Sequence, residues 1–265
     1  MKRIVLYPFG MKSEGYVLLR DTLRKMLGDD AVLGVFPDGK YKAKPDDLIV
    51  DWGFSKPPVW AIGAKKTQIL NHWDMIYNAV NKEQAFALFS VNDVQIPDFT
   101  TSAKQAAAWV SKEIPVVQRQ KIAASKGKGA SVAHTPSEFN PEAKLYTKLI
   151  PKAREFRVHV FNGKVIDRHE KVYKGNDPKE FEIMVTVSEE SDDKWVWKRS
   201  GVIISTAVAV QCLKAVKALG LDFGGVDVVT DKAGNPYVLE VNTAPWLGTT
   251  TVKYYAEAIK NAAQA

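Results

Sequence analysis

Apolar positions along the chain follow two periods, one near two and one near four. KRIVLYPFG (residues 2–10) is an apolar run that predicts a buried strand leaving into a glycine turn, and EGYVLLRDTLRKML (14–27) repeats its apolar residues at helical spacing. DAVLGVF (30–36) and DLIVDWGF (47–54) predict two more strands, the second running into the turn-rich SKPPVW. Strands alternating with helices over residues 1 to about 70 imply a small α/β unit with a parallel sheet. Ligands of such sheets gather beyond the carboxyl ends of the strands, here Tyr7 to Gly10 and Asp51 to Phe54.

From Asn71 to Val94 the spacing is helical, and residues 96–113 predict an extended lead-in and an alanine-rich helix capped by Thr101 or Ser102. The texture then turns to strands. IPVVQRQ and ASVAHT flank a loop of small and basic residues, KLYTKLI follows, and EFRVHVFNGKVIDRHEKV reads as a hairpin turning at FNGK. WVWKRS adds one strand more, and the helix ISTAVAVQCLKAVKALG stops at the capping Gly220. LDFGGVDVVTDKAGNPYVLEVN (221–242) is a second hairpin with its turn at DKAGNP, and a helical tail runs from Thr251. No internal repeat or low-complexity tract interrupts this α/β pattern.

Composition narrows the class. At 265 residues, with 46% hydrophobic, 25% charged and 10% aromatic content, the chain has globular values, far from disordered or collagenous sequences. The longest apolar stretch, VIISTAVAV (202–210), is too short to span a bilayer, and MKRIVLYPFG lacks the features of a cleaved leader, so the expected location is the cytoplasm and no membrane partner is expected. The single Cys212 excludes an intrachain disulfide and sits in a helical apolar pattern, where packing is its expected role. A net charge of +7 suits a polyanionic partner, whether nucleotide phosphate, acidic substrate or nucleic acid.

Chemistry concentrates in the last hairpin. In YVLEVN, strict alternation sends Glu240 and Asn242 to the same strand face, and pairing about the Gly234–Asn235 turn brings Asp227 beside them. Two carboxylates and an amide oxygen, with no His or Cys, suit a hard cation such as Mg²⁺, which takes one or two carboxylates plus waters and substrate phosphates. A salt-bridged, solvated face is the structural alternative, and the apolar neighbours on both strands argue against it. The loop AASKGKGAS (123–131) offers Ser125, Lys126, Gly127, Lys128 and Gly129, a mobile backbone with charge that can receive phosphate, though it lacks the spacing of a Walker motif.

The order of these features resembles the ATP-grasp superfamily, in particular carboxylate–amine ligases of the ribosomal-protein glutamate ligase and peptide ligase type. The resemblance spans residues about 75 to 255 and is carried by Asn81-Lys82, IPDF, PVVQRQ, the small basic loop, LYTKLIPKAREFRVHVFNGKVI and LDFGGVDVVTDKAGNPYVLEVNTAPWL. It implies an α/β chain in which two α+β subdomains grip ATP, preceded by a small parallel α/β domain. The expected divisions are 1–72 for that first domain, 73–145 for the subdomain with the phosphate lid, and 146–265 for the subdomain with the metal site. The resemblance assigns Asp227, Glu240 and Asn242 to Mg²⁺, two ions being expected with Mn²⁺ as a substitute. Lys82 is assigned to the nucleotide phosphates, and Arg157 to the transferred phosphate or substrate carboxylate. Lys126 and Lys128 fall in the lid with Ser125, Gly127 and Gly129, and Lys148, Leu149 and Ile150 fall in the adenine linker.

Three departures stand out. The strand before the lid reads Gln118, Arg119, Gln120 where the family has a lysine, leaving Arg119 as the substitute cation. Lys148 stands where a carboxylate is usual, and TAPWLG places Trp246 after Asn242. The resemblance implies a ligase that converts ATP to ADP through an acyl-phosphate and joins a carboxylate to an amine, small molecule or peptide. Two alternatives share the sequence features: a kinase of the same fold, and a nucleic-acid-binding or modifying protein with a divergent ATP site.

Overall fold

The computed structural model describes residues 1–36, 39–61, 69–123, 129–174 and 195–265. The chain begins with β1 (Arg3–Pro8), then α1 (Glu14–Leu27), β2 (Val32–Gly34), β3 (Asp47–Trp52) and β4 (Ile69–Leu70). The four strands form a parallel sheet in the order β2-β1-β3-β4. β1 and β3 are buried along nearly their whole length, and their centres are apolar, because both faces of a parallel sheet are covered.

The stretch expected to be helical from 71 to 94 holds two helices, α2 (Trp73–Val80) and α3 (Lys82–Val91). Asn81 leaves the helical conformation (φ −86°, ψ 102°), and its side chain accepts from the Gln84 N–H at 3.1 Å, a cap that starts α3 afresh. Lys82 is thereby the first residue of a helix. Next come β5 (Phe99–Thr100), α4 (Ala103–Val110), β6 (Val116–Arg119), β7 (Ala130–Ala133) and β8 (Leu145–Lys148), with Ser102 as the cap of α4. These strands make an antiparallel sheet in the order β5-β8-β6-β7.

The remainder is β9 (Arg154–Phe161), β10 (Lys164–Tyr173), β11 (Trp195–Lys198), α5 (Thr206–Ala218), β12 (Phe223–Thr230), β13 (Pro236–Asn242) and α6 (Thr251–Gln264). The strands form an antiparallel sheet ordered β11-β10-β9-β12-β13. One face is apolar: Phe156, Val158, Val160, Val226, Val228, Val238 and Val241 pack against α5, α2 and α3. Cys212 lies in that core, where burial pushes its thiol up and leaves it inert. A second core joins α1, α6 and the parallel sheet to Phe161 and Phe223 of the large sheet. Packing therefore crosses the divisions expected at 72/73 and 145/146: α2 and α3 share a core with the last sheet, and α6 shares one with the first.

β13 departs from strict alternation. Asp227 pairs with Glu240, yet Val228 pairs with Val238, so Leu239 is an extra residue in β13, a bulge. Without it Val238 would share the face of Glu240 and Asn242. With it, Val238 turns into the core while both polar side chains stay on the opposite face.

Candidate active site

The polar face of the large sheet is built by period two on adjacent strands. Glu155, Arg157 and His159 of β9 stand opposite Val229, Asp227 and Gly225 of β12, and on the other side opposite Lys171, His169 and Asp167 of β10. Arg157 grips Asp227 with two hydrogen bonds, Nε to Oδ1 at 2.7 Å and Nη2 to Oδ2 at 2.8 Å. Asn242 Nδ2 donates both to Asp227 Oδ2 at 3.1 Å and to Glu240 Oε1 at 3.2 Å, so one amide touches both carboxylates. Lys82 reaches in from the start of α3 and pairs with Glu240.

A third cation comes from the other antiparallel sheet. Gln118 faces α4 and is held there by Ser131 and Glu138, which leaves Arg119 on the opposite side of β6, where it and Glu240 feel each other's charge. Burial lowers the Arg119 pKa, Glu240 works against that, and the buried Arg119 Nε has no hydrogen-bond partner among the described residues. An orphaned guanidinium N–H beside a carboxylate is a donor awaiting an anion.

Electrostatics favour the charged forms of Glu240 and Arg157. Burial opposes the charge of Glu240, but Lys82, with help from Arg157 and Arg119, holds its carboxyl well below the usual range. Burial pushes Asp227 up and Arg157 pulls against it, while the same ion pair raises the Arg157 pKa in spite of burial. Glu155 is paired with Lys152 at 2.5 Å and Lys171 at 3.7 Å. Among the described residues, Lys82, Arg119, Arg157, Lys152 and Lys171 thus surround Asp227, Glu240 and Glu155, a surplus of positive charge that suits a polyphosphate.

The residues fit a divalent cation with its nucleotide. Two carboxylates and an amide converge on one point, and turning the Asn242 amide about its last bond presents oxygen there instead of nitrogen. Among the described residues no three His, Cys, Asp or Glu side chains are placed to hold a metal ion together, so further ligands would come from water or phosphate.

Of the other expected residues, Ser125, Lys126, Gly127 and Lys128 lie outside the described residues. Gly129 closes the β6–β7 hairpin, accepting from the Gln120 N–H at 2.8 Å. The loop's near end is tied to the site, since the Lys82 N–H donates to the Ile122 carbonyl at 3.3 Å. The Lys148 ammonium is engaged elsewhere: it pairs with Asp98 at 2.7 Å and lies 5.2 Å from the Trp109 ring centre, on the α4 side of its sheet and away from Arg119. Leu149 and Ile150 are half-buried where the chain passes from one antiparallel sheet to the other. Trp246 is 55% exposed, so it is not core packing. Its loop abuts the first sheet: a Cβ on Gly53 (φ +86°) would stand 2.7 Å from the Ala244 Cβ.

No protein-family model and no curated protein matches the chain. Solved structures do. PsnB, an ATP-grasp ligase in complex with a phosphomimetic variant of its minimal precursor, Mg and ADP, superposes with a TM-score of 0.69 over 99% of both chains at 14% identity. D-alanine–D-alanine ligase from Bacillus anthracis gives 0.65 over 100% of this chain and 98% of its own, at 14% identity. A RimK domain ATP-grasp protein from Sphaerobacter thermophilus gives 0.65 over 97% and 98%, at 12% identity. The chain has the ATP-grasp fold.

Within this ATP-grasp chain, several site residues escaped the sequence reading. Trp197 of β11 stacks on Arg157, its ring centre 4.8 Å from the guanidinium, and Trp195 lies between Lys152 at 5.5 Å and Lys171 at 5.1 Å. Glu155 and His159 were findable, because period two in EFRVHV puts them on the face of Arg157. The tryptophans had no such signal, since their place depends on β11 joining the edge of β10.

Proposed function

We propose that this protein is an ATP-dependent carboxylate–amine ligase. A substrate carboxylate takes the γ-phosphate of ATP to give an acyl-phosphate, and an amine displaces the phosphate. The observation that carries this reading is the convergence of Lys82, Arg119 and Arg157 on Asp227, Glu240 and Asn242, where two antiparallel sheets meet. Its support from outside is the ATP-grasp fold, shared with an ATP-grasp ligase in complex with a precursor, Mg and ADP and with a D-alanine–D-alanine ligase.

Asp227, Glu240 and Asn242 would hold Mg²⁺, or Mn²⁺ in its place, and each carboxylate has oxygens enough to serve two ions. When bound, the metal neutralises phosphate charge and orients the γ-phosphate. Arg119 and Lys82 would bind the nucleotide phosphates as the ion pair of Lys82 with Glu240 opens. Arg157 is bidentate and presses against Trp197, which suits holding the transferred phosphate or the substrate carboxylate in one orientation. The lid residues Lys126 and Lys128, with Ser125, Gly127 and Gly129, would close over the phosphates, and the backbone of 148–150 would grip adenine. Neighbours in fold that are bound to precursor peptides, or are named for joining D-alanine to D-alanine, make a peptide or amino-acid substrate the class to try first.

The test is incubation with ATP, Mg²⁺ and pools of the twenty amino acids and their dipeptides, following ADP and phosphate. Release of both only with particular acceptors is expected. Phosphate retained on an acceptor would make the protein a kinase, and no binding of a non-hydrolysable Mg-ATP analogue by calorimetry would remove both readings.

A further inference from the structure

Beside Arg157, on the neighbouring strand, lies a buried polar cluster that the nucleotide site does not use. His169 of β10 is the cross-strand partner of Arg157, so their side chains neighbour each other on the polar face. Thr251, the first residue of α6, donates its hydroxyl proton to Asp167 Oδ2 at 2.8 Å, and Thr251 Oγ1 itself lies 3.3 Å from His169 Nε2. A hydroxyl has one proton. With that proton committed to Asp167, the Thr251 oxygen can only accept from the histidine, which places the ring proton on Nε2 and the lone pair on Nδ1. Asp167 Oδ2, 3.5 Å from Nε2, favours the same tautomer, and Arg199 clamps Asp167 at 3.0 and 3.1 Å. No hydrogen bond to Nδ1 is found among the described residues.

We propose that His169 is the general base of the ligation, its Nδ1 accepting the proton of the attacking amine. The inference rests on the ligase reading above. In the step it serves, the neutral amine nitrogen forms a bond to the acyl carbon and becomes –NH₂⁺–. Nδ1 takes one of those protons, the C–O bond to phosphate breaks with its electron pair leaving on the phosphate oxygen, and the imidazolium passes its proton to solvent. The surroundings serve that role. Burial lowers the His169 pKa, as do the charges of Arg199 and Arg157 against the opposing pull of Asp167, so the ring is uncharged and ready to accept. The imidazolium, once formed, has Asp167 beside Nε2–H. A base oriented through its far nitrogen by an acid is the arrangement that acyl transfer uses on unrelated folds. His159, the nearest other histidine, is not equivalent: its Nδ1 is engaged with the Tyr255 hydroxyl at 3.2 Å and its Nε2 is sealed without a partner.

The experiment compares two nucleophiles on the wild type and His169→Gln, with ATP, Mg²⁺ and the amino-acid and dipeptide pool. One arm follows ADP release with the pool alone. The other adds hydroxylamine, which is unprotonated near neutral pH and traps acyl-phosphates as hydroxamates without help from a base. We expect roughly a 100-fold loss in the first arm and less than about a 3-fold loss in the second. Equal losses in both arms would overturn the role of His169 while leaving the ligase reading intact, whereas no ADP from the wild type in either arm would overturn both. Thr251→Val, which keeps the imidazole and releases its tautomer, should show the same nucleophile-selective loss at roughly 10-fold, and it decides the matter if His169→Gln does not fold. In ¹⁵N-histidine NMR of the free protein, His169 protonated on Nδ1 instead of Nε2 near neutral pH would also sink the proposal.

Discussion

Asp51 in β3 and Asp227 in β12 are both buried, both sit in strands of Val, Ile, Leu and Trp or Val and Gly, and both carry a short polar contact to a neighbour. Asp51 Oδ1 accepts from the Phe54 N–H at 2.9 Å, and its Oδ2 has no hydrogen-bond partner. Burial pushes its carboxyl well above the usual range, which favours the neutral form, and the Tyr7 hydroxyl on the paired strand, also without a partner among the described residues, is pushed up by burial and by Asp51. Asp227 instead meets a guanidinium on both oxygens and an amide on one of them, and its neighbour Glu240 meets Lys82. The same chemical group, removed from water in two strands of similar wording, is pushed up by burial in both places, and only at Asp227 does an ion pair pull against that push. What differs is whether a cation from another strand or helix reaches it. Under the proposed function, the second arrangement would exchange its cations for a metal and phosphates.

The sharpest way to break this comparison is at the charged pole. Glu240→Gln or Asn242→Ala should reduce ATP-dependent turnover by about 1,000-fold or more while thermal unfolding stays cooperative, since losing a metal ligand removes charge stabilisation that positioning cannot replace. Retained activity would remove the metal assignment. Asp227→Ala should cost about 3–5 kcal/mol of stability in denaturant unfolding, because Arg157 is left charged in a buried place. A loss no greater than that of Asp51→Ala would show that the two aspartates are alike after all.

The neutral pole has its own signatures. His159, wholly buried, has its pKa lowered to about 3, chiefly by burial and then by His169 and Arg157. The unfolded chain takes up its proton near pH 6.5 and the folded one does not until near pH 3, so stability falls as pH drops through that window. Between pH 6.5 and 5 this amounts to about 2 kcal/mol, and unfolding of His159→Gln should show a correspondingly flatter pH dependence. Asp51 has the opposite sign: its raised carboxyl favours the fold at low pH and loses that advantage as pH rises above the ordinary carboxylate value. Asp51→Asn, which imitates the neutral acid, should therefore gain stability relative to the wild type on going from pH 4 to pH 7.5, measured by denaturant unfolding. No relative gain would mean that Asp51 is ionised and has found a cation.

The sequence by itself determined what depends on near neighbours. Periodicity located β1, α1, β3, α5 and both long hairpins, and the hairpin from 223 to 242 put Asp227 beside Glu240 because a turn fixes the register of the strands it joins. Even there the Leu239 bulge was not legible, since its cause is the demand that Val238 enter a core made with α5. Residues brought together across long stretches of chain were decided by tertiary structure alone. Lys82 meets Glu240 from 158 residues away, and Lys148 turns to Asp98 because its position in β8 faces α4. Arg119 faces Glu240 because Gln118, one residue earlier, is taken up by the other side of the sheet. Thr251 reaches Asp167 and His169 only once α6 has docked. Strand pairing across a turn is a local event that a few residues specify, whereas the charge state of a buried side chain is set by whichever packed elements come to surround it, and that depends on the whole fold.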